Sequence, residues 1–318
     1  MNSILLQACL VGDFEMVKEL HSTAGNELDL DNTIQAFILV AQTGHLQILE
    51  YLHREVGINI QNLRALVAAC DNGHLSIVKY LHQNGADISL TSDCLLIYHA
   101  SESGNLLLVK YLFENGANRE QLTMNYSLRA VSKKGYLDLV KYLIENGAKD
   151  DNRTALLWAA DKGHLSVVRY LYETKISTDI CMALIMASRS GHLEVVKYLI
   201  SVGAIIDDPS VKIAMINGFL GIIEIFYNNG IDIMNKELTD EDFFNVYDDR
   251  AYDNFKRCKR YIAFCQKMEE KKIERAHKKI YYWWIPICYD ITRECGQRMM
   301  LKNLEKAKEL GYEFNYIA

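Results

Sequence analysis

Apolar positions in this chain fall into a recurring phrase. Behind a glycine come apolar residues at the second, fifth, eighth and ninth places, as with Leu137, Val140, Leu143 and Ile144 behind Gly135. That is helical spacing with one buried stripe, and it predicts an amphipathic helix. A second glycine follows the first at a nearly constant offset. Gly85, Gly116, Gly147, Gly203 and Gly230 stand twelve places on, and Gly25 and Gly57 thirteen. A glycine there suits a helix C-terminus, where a left-handed residue stops the helix. Before each leading glycine runs a shorter apolar segment of about two turns. It usually ends in two small residues, as in Ala69-Cys70, Ala159-Ala160 and Ala187-Ser188. Small residues let neighbouring helices approach closely, and the leading glycine then turns the chain into the second helix.

The leading glycines are Gly12, Gly44, Gly73, Gly104, Gly135, Gly163, Gly191 and Gly218. Eight copies at a period of roughly 30 residues indicate one helix-pair unit stacked eight times. A single pair cannot bury its apolar face alone, and stacking supplies the partner. The expected fold is therefore an all-α solenoid.

The unit resembles the ankyrin repeat. Thr154-Ala155-Leu156-Leu157-Trp158-Ala159-Ala160 matches that family's Thr-Pro-Leu-His-x-Ala-Ala, with Pro and His replaced. Gly191-His192-Leu193 and Asn84-Gly85-Ala86 are similar to its turn phrases, and the resemblance covers roughly residues 1–235. Family repeats run to about 33 residues, and most of these are shorter. The missing residues fall between Asn-Gly-Ala and the next helix, so the resemblance implies short fingers and more contact through the helix-lined concave face. Gly-His-Leu-Glu-Val-Val-Lys-Tyr-Leu, abundant Asn, Ile, Lys and Tyr, and scarce proline also resemble the ankyrin families of giant DNA viruses of the mimivirus type.

Composition divides the chain further. Net charge is −6 overall, but residues 1–249 carry −13, residues 250–279 carry +7, and residues 280–318 balance. The repeat phrase stops after Asn235, so the expected domains are a solenoid over 1–238 and a helical capping domain over 239–318. Thr239-Asp240-Glu241-Asp242 suits a helix start. Residues 250–279 read as a long basic helix, and residues 290–310 as a last amphipathic helix stopped by Gly311. Trp283, Trp284, Ile285 and Ile287 read first as core of the closing domain and second as an exposed dock. No stretch reaches the ~18 apolar residues of a membrane span, and the N-terminus lacks the basic start of a secretory signal. Eight cysteines without a CxxC pair fit an intracellular chain with free thiols. The expected location is the cytoplasm, that of a host cell if the chain is viral, and the expected state is a monomer.

Candidate chemistry is sparse. His45, His74, His164 and His192 occupy one place in different repeats, about a repeat apart, and read as structural turn residues rather than ligands of one ion. Cys258 and Cys265, and Cys288 and Cys295, are seven apart, whereas zinc ligands pair two to four apart. All four read as small apolar residues. No phosphate loop, GxSxG elbow or HExxH occurs, and the Asp240 and Asp242 pair reads as helix capping. The chain is expected to be no enzyme, with no cofactor and no metal. Tyr51, Tyr80, Tyr111, Tyr142, Tyr170 and Tyr198 all stand seven after a leading glycine and read as half-buried packing between repeats.

In the ankyrin family the two residues before each leading glycine face the concave groove. Here they vary while the frame is constant, as a binding scaffold requires. Asp71, Asn72, Glu102, Lys133, Lys134, Asp161, Lys162 and Arg189 are the expected contacts for a protein partner. Two alternatives stay open: an adaptor whose tail recruits cellular machinery such as a ubiquitin ligase, and nucleic-acid binding through 250–279, the weakest. The F-box-like ending of poxvirus ankyrin proteins is an analogy only, since its proline-containing start motif is missing.

Overall fold

The computed structural model describes residues 2–24, 30–89, 96–117, 119–151, 153–237 and 251–288, with side chains of the last stretch described over 253–275. Every regular element among them is helical. The first helices of the eight repeats are α1 (Asn2–Val11), α3 (Leu30–Thr43), α5 (Leu63–Asp71), α7 (Leu96–Ser103), α9 (Gln121–Lys134), α11 (Thr154–Asp161), α13 (Ile180–Ser190) and α15 (Asp208–Asn217). The second helices are α2 (Phe14–Ala24), α4 (Leu46–Arg54), α6 (Leu75–Gln83), α8 (Leu106–Glu114), α10 (Leu137–Glu145), α12 (Leu165–Glu173), α14 (Leu193–Ser201) and α16 (Leu220–Asn228). A long helix, α17 (Ala251–Cys288), follows.

Both helices of a unit end the same way. Gly73 has φ +73°; its N–H bonds Cys70 O at 3.1 Å, and that of His74 bonds Ala69 O at 2.9 Å. These are the two bonds of a Schellman closure, which answers carbonyls the helix end would leave orphaned. Gly85 (φ +100°) repeats the pattern at the end of α6. In the sixth unit Lys175 holds the glycine's place at φ +58°, with the same two bonds to Tyr172 and Leu171. A side chain in that region costs about 1–2 kcal/mol. The second glycine of the first unit, Gly25, lies outside the described residues.

The core runs continuously through the stack. Leu139, Val140 and Leu143 of α10 are fully buried, as are Ala155, Leu156, Ala159 and Ala160 of α11. Burying each of the larger side chains is worth about 1.5–3 kcal/mol. First helices pack closely on one another, whereas second helices touch their neighbours sparsely. The small residues closing the first helices permit this. Two of them, α3 and α9, run 14 residues and exceed the expected two turns.

Neighbouring units are joined by a ring at six of the eight leading glycines, and by Asn105 at Gly73 and Asn254 at Gly218. A Cβ on Gly163 would run into the His192 ring, and one on Gly44 would lie 2.8 Å from His74 Nδ1. Tyr136 and Phe219 fill the same place against Gly104 and Gly191. Each histidine also donates Nε2–H to a carbonyl two residues before that glycine: His74 to Gln42 at 3.0 Å, His164 to Lys133 at 3.0 Å, His192 to Asp161 at 2.8 Å. A second ladder runs along the second helices. The hydroxyls of Tyr51, Tyr80 and Tyr111 meet Nδ1 of His21, His53 and His82 at 2.7, 2.8 and 2.8 Å. The tyrosine column is thus packing between repeats.

The far end is closed by α17. Phe255, Cys258 and Ile262 are buried, at the spacing of one helical stripe, and the helix packs on α15 and α16. Asn254 lies against Gly218 and donates to Ile216 O at 3.0 Å, doing what the histidines do earlier. At 1.5 Å per residue α17 is about 57 Å long, and from Lys267 to Arg275 every side chain is exposed. The basic helix expected over 250–279 is therefore present. The helix start at 239–242, the helix over 290–310 and Gly311 lie outside the described residues. The aromatic segment reaches α17 up to Cys288, but its side chains lie outside them.

Glycine substitutions separate the two roles. Gly163→Ala should lose about 2–3 kcal/mol, from a left-handed alanine and a displaced His192 bond. Gly147→Ala, at φ +98° with nothing within 4 Å, should lose only about 1–2 kcal/mol. Urea denaturation compares them, and equal losses would show that the ring does not fill the space at Gly163.

Candidate partner-binding surface

The first helices present an exposed flank. Between α3 and α5 it holds a groove of about 400 Å³ lined by Gln42, Arg64, Val67, Ala68, Asp71 and Asn72, among others. Residues just before a leading glycine thus share a face with those one and two turns earlier, as the helical period requires.

The eight expected contact residues all lie at these first-helix ends, in different states. Asp71 and Asn72 are exposed, and Asp71 Oδ1 meets His99 Nδ1 at 2.6 Å. Glu102 is half-buried and pairs with Lys134 at 3.5 Å. Lys133 is exposed and stands 4.6 Å over the Trp158 ring, with Lys162 at 5.9 Å.

Asp161 departs from expectation. It is 6% exposed, and its carboxylate accepts from Arg189 at 2.7 Å and Ser190 at 2.8 Å, with Lys162 at 3.1 Å. Burial alone would raise this carboxyl. The hydrogen bonds from Arg189, Ser190 and Lys162 outweigh it and hold the group at about 2. Asp161 joins the sixth repeat to the seventh and presents little surface to a partner, while Arg189 and Lys162 remain about half exposed.

Several further side chains on this flank do not stand out in the amino-acid pattern. Tyr98, Tyr126, Arg129 and Trp158 are partly exposed, and Met182 is 41% exposed. Arg129 stands 5.2 Å over the Tyr126 ring. They lie three to seven places before the expected contacts, on the same stripe, and that spacing was the available signal.

Among the described residues no group of three or more His, Cys, Asp or Glu is placed to hold a metal ion. Burial pushes the Cys9 thiol up to about 12 and that of Cys258 up to about 11, while Cys265 is half-buried. Cys288 and Cys295 have no described side chains. No described helix is long and apolar enough to cross a membrane.

The family model "Ankyrin repeats (3 copies)" matches residues 5–92 and 96–182, more than half of the chain, and the model "Ankyrin repeat" matches residues 179–211. The chain belongs to the ankyrin-repeat family. Ankyrin repeats are generally protein–protein interaction modules. Among solved structures, 178 chains match this ankyrin-repeat chain. One is the crystal structure of the human ASB11 ankyrin repeat domain, 23% identical over 53% of this chain and 84% of that one, with a TM-score of 0.47. No curated protein matches.

The Asp161 network has a pH signature. A carboxyl held down by folding contributes stability above its unfolded pKa of 3.8, and that contribution is lost as pH falls towards about 2. The wild-type urea midpoint should therefore drop between about pH 4.5 and about pH 2.5 by more than that of Asp161→Asn. Parallel curves for the two proteins would show that Asp161 carries no such linkage.

Proposed function

We propose that this ankyrin-repeat chain is a scaffold that binds a protein partner on the inner, concave face of its stack. One observation carries the reading: a repeated frame holds unlike side chains at equivalent positions, with Asp71, Lys133 and Arg189 exposed and Glu102 half-buried. The frame is committed to packing, so these positions are free to select a partner. Asn72, Lys134 and Lys162 belong to the same set, and Asp161 supports it from beneath. On this reading the chain works as a non-catalytic monomer in the cytoplasm, and its viral style of residue usage puts it in a host cell. Residues 1–238 act as the solenoid and 239–318 as a cap.

A second reading rests on α17, whose exposed stretch from Lys267 to Arg275 lies beyond the part packed on the stack. An adaptor would use it to recruit further machinery. The complex isolated from the source cell, mapped by hydrogen–deuterium exchange, distinguishes the two. The scaffold reading expects protection in peptides spanning 98–102, 129–134 and 157–162. Protection confined to α17 would replace it with the adaptor reading.

A further inference from the structure

We propose that the inner face of the fifth to seventh repeats receives an acidic peptide segment of the partner, anchored by an apolar residue seated beside Trp158. The proposal rests on the scaffold reading above and names the chemistry of its ligand.

Charge placement is the first ground. Residues 1–249 carry −13, yet Arg129, Lys133, Lys134, Lys162 and Arg189 gather at the inner ends of α9, α11 and α13. The carboxylates among them are already engaged: Asp161 with Arg189 and Lys162, and Glu102 with Lys134. Arg129 and Lys133 stand over aromatic rings and, among the described residues, meet no carboxylate at ion-pair distance. Two or more cations are thus left over for an incoming anion. At the third and fourth repeats the equivalent positions carry Asp71 and Glu102 instead, so the complementarity is local.

The second ground is the apolar surface beside the cations. Trp158 is partly exposed, Met186 holds the equivalent place one repeat on and is also partly exposed, and Met182, one turn before Met186, is 41% exposed. Methionines adapt to varied apolar shapes, and cation–π attraction holds Lys133 and Lys162 over the indole, so an apolar residue at the indole edge would bring neighbouring carboxylates to their ammonium groups. A nucleic acid fits less well. A polyphosphate would be repelled by the acidic solenoid around this patch, whereas a peptide can match a few cations with a few acids.

A displayed library of random short peptides, selected on the full chain, tests the proposal. Recovered peptides should be rich in Asp and Glu around an aromatic or aliphatic residue. Their affinity should fall about tenfold or more when Lys133→Gln and Lys162→Gln are combined, or when salt is raised to about 0.5 M. It should be unchanged by Lys271→Glu with Lys272→Glu. Both lysines of the first pair are exposed, and an unchanged circular dichroism spectrum checks that the fold is kept. Neutral or basic peptides that still lose affinity with the first pair would overturn this inference and leave the inner-face reading standing. Acidic peptides that respond only to the second pair would overturn both. Recovery of no binder, or equal competition by a short single-stranded DNA, would also overturn the inference.

Discussion

The stack depends on what meets each leading glycine, and four of the eight junctions share one form: a glycine with no side chain, a histidine ring from the next repeat in the vacated space, and a ring N–H answering a helix-end carbonyl. In these four the parts support one another. The positive φ ends the first helix, the missing Cβ admits the imidazole, and the imidazole satisfies a carbonyl that the helix leaves open. His192 against Gly163, with its bond to Asp161 O at 2.8 Å, shows all three. Where the ring is Tyr136 or Phe219 the volume is kept without the imidazole N–H, so filling space is the part common to these junctions.

This junction sets the spacing at which inner-face side chains are displayed. Because the same closure recurs, residues two before successive glycines fall at equivalent places on successive helices. The positions proposed to bind a partner therefore form a row whose geometry is fixed by packing groups. Asp161 stands between these roles: its main-chain carbonyl serves the junction, and its carboxylate holds Arg189 from beneath the surface.

The fold was largely legible in the sequence, because the glycines and the apolar stripe are local signals repeated eight times. The turn histidines were recognised as structural, but their partners were not readable: a ring meeting a glycine a whole repeat away leaves no mark near itself. Lys175 was hidden for a similar reason, since its left-handed backbone has no signature in its side chain. Of the site, the varied positions before each glycine stood out against a constant frame. Trp158 did not, because an apolar residue at helical spacing reads as core whether or not one edge meets water. Asp161 misled in the opposite direction, since a carboxylate at a surface position looks free until Arg189 and Ser190 of the next repeat close over it.

The closure by Asn254 bears on how such an array changes length. At the far end the eighth module's mating surface is already taken by α17, so accretion there would meet an occupied site. Gly135, Gly163 and Gly191 are evenly spaced along the chain, and the flanking junctions accept the same kind of insert. Duplication or deletion of a module within the array would keep every junction matched, whereas one added beside α17 would have to displace that helix.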